Sequence, residues 1–149
     1  MSAALDCQEG WSVSRRREVS VFNSTKKTQL AARVRIADSL LGRLVGLLGK
    51  QSLDQDSGLL IFPSNSIHTL GMRFPIDVVF LDQDWRVEDL CESVPPFRLI
   101  WPRWKARSVL EVPIYSIRNS RTEVGDQLVL SKHSLHEGGC VWQTATSDS

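Results

Sequence analysis

A chain of 149 residues, 42% hydrophobic and 23% charged, has the size and balance of one soluble globular domain with a genuine core. Its formal net charge of +1 gives no chain-wide field for nucleic acid or an anionic membrane, and neither partner is expected. Cys7, Cys91 and Cys140 are an odd count without close spacing, which argues against a disulfide framework or a zinc knuckle; no cofactor is implied, and a reducing cytoplasm is the expected setting.

Residues 1–16 are polar and unpatterned, are expected to be loose, and hold no apolar run of signal-peptide or membrane-helix length. The neighbouring run Arg15, Arg16 and Arg17 reads as solvated charge. A single β-rich domain is expected over residues 17–131. It opens with "REVSVFN" and "QLAARVRIA", two alternating segments joined by the polar turn "STKKT", which together spell a hairpin with one dry face. "ADSLLGRLVGLLGK" breaks the alternation. Asp38 or Ser39 can cap a helix there, and Leu40, Leu41, Leu44, Leu47 and Leu48 follow at helical spacing.

"GLLIFP", "IDVVFLD", "RVEDLCES", "ARSVLEVP" and "DQLVLS" are short strand candidates, with "LDQDWR" as a hairpin turn and "IYSIRNS" as a second helical turn. No strand–helix alternation points to a parallel sheet. The fold class is therefore mainly β: a small antiparallel sandwich or barrel, jelly-roll-like, with one main short helix. Residues 132–149 are polar and expected to be flexible. His133, His136 and Cys140 in "HSLHEGGC" have a ligand-like spacing, but three residues in a glycine-rich tail read as an accident of composition, and no metal is assigned.

The ordered blocks "ARVRIADSLLGRLVGLLGK", "GLLIFP", "IHTLGMRFPIDVVFLD", "PP", "ARSVLEVP" and "VGDQL" resemble the domain-of-unknown-function 192 family over roughly residues 28–131. The resemblance implies a small, mainly antiparallel β-sandwich or barrel with one or two short helices, and no established reaction. Two departures stand out. The segment after Met72 is the compact Arg73-Phe74-Pro75-Ile76-Asp77, and Ile114-Tyr115 replaces an alanine–glycine pair that could supply a positive φ.

The segment "SIHTLGMRFPIDVVFLD" sets His68, Arg73 and Asp77 among apolar neighbours, and buried charge needs a partner. Four residues of strand would hold Arg73 and Asp77 about 13 Å apart, so Glu111 in "RSVLEVP" is the expected acid for Arg73, with Asp77 second. A shared site for His68 and Arg73 requires an irregularity at Gly71 or Met72. Phe97, Trp101 and Trp104 lie in the proline-rich "VPPFRLIWPRW", which reads as a contact surface if exposed. The expected function is a non-catalytic binding or assembly domain for an unknown protein or small-molecule ligand. The alternative is a small enzyme with acid–base chemistry at His68, anion binding at Arg73, and Asp77 and Glu111 as further catalytic candidates.

Overall fold

Period-two alternation becomes strand wherever one face can be buried, and most of this chain offers such a face. The computed structural model describes residues 18–37 and 51–132. The leucine-rich helix expected from residue 38 onward, and His133, His136 and Cys140, lie outside the described residues. Among the described residues nine strands are present: β1 (Glu18–Asn23), β2 (Thr28–Ala37), β3 (Ser57–Ile61), β4 (Ile67–His68), β5 (Ile76–Leu81), β6 (Val87–Val94), β7 (Leu99–Ile100), β8 (Ser108–Pro113) and β9 (Leu128–Lys132). One short helix, α1 (Ser116–Ser120), stands between β8 and β9.

Seven strands form a single sheet in the order β6-β5-β8-β3-β2-β1-β9, and β4 and β7 form a separate two-stranded ribbon. Pairing is antiparallel except between β2 and β3, which run parallel. Residues 38–56 supply the long connection that a parallel neighbour requires. The two edges of the sheet approach each other. Val87 N–H donates to the Asp126 carbonyl (2.9 Å) and Leu128 N–H to the Trp85 carbonyl (3.0 Å), so the start of β6 meets the start of β9. The sheet thus curls into a half-barrel, as the mainly β expectation requires.

Two apolar clusters lie on opposite faces of this sheet. Val34, Leu60, Val79, Leu81, Leu110 and Val112 belong to the first, which also receives Ile117 of α1. Leu59, Ile61, Val78, Phe80 and Val109 belong to the second, which is covered by Ile67 and Met72 from the ribbon side. β5 and β8 are buried along their whole length, which explains why both read as nearly continuous apolar runs.

The β1–β2 turn is anchored by a buried polar network. Asn23 donates through Nδ2 to Thr122 Oγ1 (3.1 Å) and Asp126 Oδ2 (2.8 Å), while its Oδ1 accepts from Lys26 N–H (3.0 Å). Every polar atom of that amide is used, as a buried amide requires. The turn after Pro113 takes the shape that the missing glycine would favour. Tyr115 adopts φ 70°, a left-handed conformation carried by an L side chain.

Candidate functional site

In "SIHTLGMRF" strand geometry ends after His68. Met72 N–H donates to the Thr69 carbonyl (3.2 Å), closing a turn in which Gly71 sits at φ 79°. The irregularity foreseen at Gly71 is therefore real, and it is a turn that ends the strand. β4 pairs with β7 through Ile67 opposite Ile100 and His68 opposite Leu99. Ile67 and Ile100 pack on the second apolar cluster. Alternation then turns Leu99 and Trp101 away from the protein.

A buried threonine joins the two loops of this ribbon. Thr69 N–H donates to the Arg98 carbonyl (2.8 Å), and the Thr69 carbonyl accepts from Phe97 N–H (2.9 Å). Its hydroxyl donates to the Pro95 carbonyl (2.8 Å) and accepts from Arg98 N–H (2.9 Å). A second fixing point is Arg103, whose guanidinium forms an ion pair with Asp89 of β6 and lies 5.3 Å from the centre of the Phe80 ring. The same side chain donates to the Trp101 carbonyl (3.0 Å).

On this fixed backbone the large apolar side chains point to solvent. Phe97 is 69% exposed, Leu99 67%, Trp101 76% and Trp104 87%. Trp104 borders an open hollow of about 280 Å³ together with Glu88, Asp89, Pro102, Arg103 and Lys105. A second hollow of about 300 Å³, lined in part by Glu18, Arg33, Arg35 and Asp54, opens on another part of the surface.

The four acid–base candidates are dispersed. Asp77 is fully buried on the face that meets α1, where Oδ1 accepts from Ser93 N–H (2.9 Å) and Oδ2 from Ile117 N–H (3.1 Å). Ser93 lies in a bulge of β6, where two residues oppose the single Asp77, and Ile117 is the second residue of a helix that lacks a side-chain cap of its own. The carboxylate thus satisfies one N–H released by the bulge and one released by the helix start. Glu111 is buried on the opposite face, directly between Leu59 and Val78 on the neighbouring strands. Burial pushes its carboxyl up to about 7.

Arg73 is exposed, and the salt bridges among the described residues are Lys26–Glu123 and Arg103–Asp89. The expected Arg73–Glu111 pair is therefore absent. The turn at Gly71 releases Arg73 from the strand and lets it reach water, while Glu111 keeps its place in a regular strand. His68 is half-buried with Nδ1 lacking a hydrogen-bond partner, and no hydrogen bond joins it to Arg73, Asp77 or Glu111. Neither hollow is lined by any of the four. Among the described residues no group of three His, Cys, Asp or Glu side chains is placed to hold a metal ion.

The family model for DUF192, described as an uncharacterised ACR, matches residues 21–130. The chain belongs to the DUF192 family. Two similar curated proteins are the UPF0127 proteins of Pyrococcus horikoshii, 33% identical over 113 residues (72% of this chain, 96% of the relative), and of Pyrococcus furiosus, 33% identical over 115 residues (72% and 95%). Among solved structures, a putative transcription regulator of Sinorhizobium meliloti aligns with TM-score 0.68 at 19% identity, covering 81% of this chain and 98% of that one. A protein of unknown function from Novosphingobium aromaticivorans aligns with TM-score 0.64 at 19% identity, covering 75% and 83%. At that identity the structures show a shared fold.

Thr69 and Arg103 were not among the expected site residues. Each holds the aromatic loop through partners far along the chain, Pro95 and Arg98 for Thr69 and Asp89 for Arg103. No local pattern sets Thr69 or Arg103 apart from the other polar residues of these loops.

Proposed function

We propose that this DUF192 protein is a non-catalytic binding domain whose contact surface is the loop carrying Phe97, Leu99, Trp101 and Trp104. The observation that carries this reading is the combination of rigid backbone and exposed apolar side chains. The loop is tied by Thr69 and Arg103, yet its four largest apolar residues are about two-thirds exposed or more. Soluble proteins seldom display clustered aromatic surface without a partner for it. Holding such side chains in place beforehand lowers the entropy cost of association.

Acid–base chemistry at His68 has less support. An enzyme needs its proton-transfer group, its anion-binding group and an open cleft to coincide, and here Asp77 and Glu111 lie on opposite sheet faces while Arg73 is separately exposed.

The test presents the full chain to three immobilised partner classes: anionic lipid vesicles, single-stranded oligonucleotides and acidic peptides. Binding to at least one class, lost in Trp101→Ala/Trp104→Ala, is expected. Binding to none, or binding indifferent to both tryptophans, would overturn the reading.

A further inference from the structure

The ribbon loops combine apolar protrusion with charge of one sign. Residues 62–74 and 95–107 contain no aspartate or glutamate, but they contain Arg73, Arg98, Arg103, Lys105 and Arg107. Arg103 is committed to Asp89, whereas Arg73, Arg98, Lys105 and Arg107 are exposed. The chain-wide charge of +1 thus averages over a cationic unit and a remainder with an excess of acid. Glu88 and Asp89 of β6 line the hollow beside Trp104 and Lys105.

We propose that the loops of the ribbon dock on an anionic phospholipid bilayer, an inference that rests on the reading of the loop as a binding surface. Three features favour a bilayer over the other anionic partners. Leu70 and Leu99 are half-exposed or more, and an aliphatic side chain offers a nucleobase no ring to stack on. Exposure of 76% and 87% makes Trp101 and Trp104 protrusions, whereas a strand-binding groove would enclose its aromatics. A fringe of cations on loops that hold no acid of their own suits a uniformly negative plane better than a protein surface of mixed charge. Indole rings prefer the headgroup level of a membrane, and guanidinium and ammonium groups beside them meet lipid phosphates.

The deciding experiment is co-sedimentation of the full chain with vesicles of phosphatidylcholine alone, or of phosphatidylcholine with phosphatidylglycerol. Single-stranded oligonucleotide and an acidic peptide serve as separate probes in a parallel binding assay. Retention on the anionic vesicles, weakened by salt and at least about tenfold stronger than on the neutral ones, is expected. Leu99→Ser/Trp101→Ser should reduce it about tenfold or more, and Arg73→Gln/Arg98→Gln by a similar factor. Arg15, Arg16 and Arg17 offer a separate source of positive charge, so retention unaffected by both variants would overturn the proposal. Tryptophan-dependent binding to oligonucleotide or peptide without vesicle binding would overturn it too, while leaving the binding-domain reading intact. Binding to none of the probes would overturn both.

Discussion

Glu111 stands in a row that runs across the sheet from Cys91 through Val78, Glu111 and Leu59 to Arg35, and its nearest cross-strand neighbours are both aliphatic. With its carboxyl raised to about 7 from an ordinary 4.5, the group is protonated in both folded and unfolded chains at low pH. As pH rises from there toward 7, the unfolded chain gives up the proton while the folded one keeps it. Stability therefore falls with rising pH, by up to about 1.4 kcal/mol per unit, and levels off above 7 at a loss of about 3 kcal/mol. Glu111→Gln should be close to neutral in urea titration at pH 4.5 and stabilising by about 3 kcal/mol at pH 8. A variant less stable than the parent at pH 8 would mean that the ionised carboxylate has a favourable partner. Arg73 behaves in the opposite manner: with its guanidinium in water, Arg73→Leu should shift unfolding by no more than about 0.5 kcal/mol. A loss of several kcal/mol would restore a buried pair.

At the scale of elements, α1 is a five-residue helix held from outside itself, by Asp77 at its start. Tyr115 before it is strained at φ 70°, so Tyr115→Gly should raise stability by up to about 1 kcal/mol, measured by thermal or urea unfolding. Destabilisation would show that the phenol ring makes a contact worth more than the strain. The ribbon is held by Thr69. Thr69→Val keeps the shape but leaves the Pro95 carbonyl and Arg98 N–H without the hydroxyl, and should cost about 1–3 kcal/mol. Amide exchange at Phe97 and Arg98 should accelerate in that variant; unchanged protection there would contradict the clasp. Alternation made β1 readable in the sequence because it buries one full face, and unbroken apolar runs marked β5 and β8, which are buried on both. The short β4–β7 ribbon was not readable, since two-residue strands have no period and their pairing depends on Thr69 meeting residues almost thirty positions away. Asp77 was recognisable as an acid needing a partner. That its partners are backbone N–H groups of a bulge and a helix start depends on the register of β6, which no local pattern encodes.

The whole molecule divides its polar residues between a scaffold and a surface. Asp77, Asn23, Thr122 and Asp126 are buried and hydrogen-bonded, and hold together strands and turns that are distant in the chain. Phe97, Leu99, Trp101 and Trp104 lie outside the two apolar clusters. The mainly β expectation agrees with the curled sheet, which gives the loops of the ribbon a stiff base. If the division is correct, the scaffold residues carry stability and the aromatic row does not. The free energy of urea unfolding, compared between Asp77→Ala and Trp101→Ala/Trp104→Ala, tests this most directly. The first should lose about 3 kcal/mol, because two buried N–H groups are left without an acceptor, and the second less than about 1 kcal/mol. The reverse order would contradict the account, since it would make the tryptophans part of the core and Asp77 free for another task.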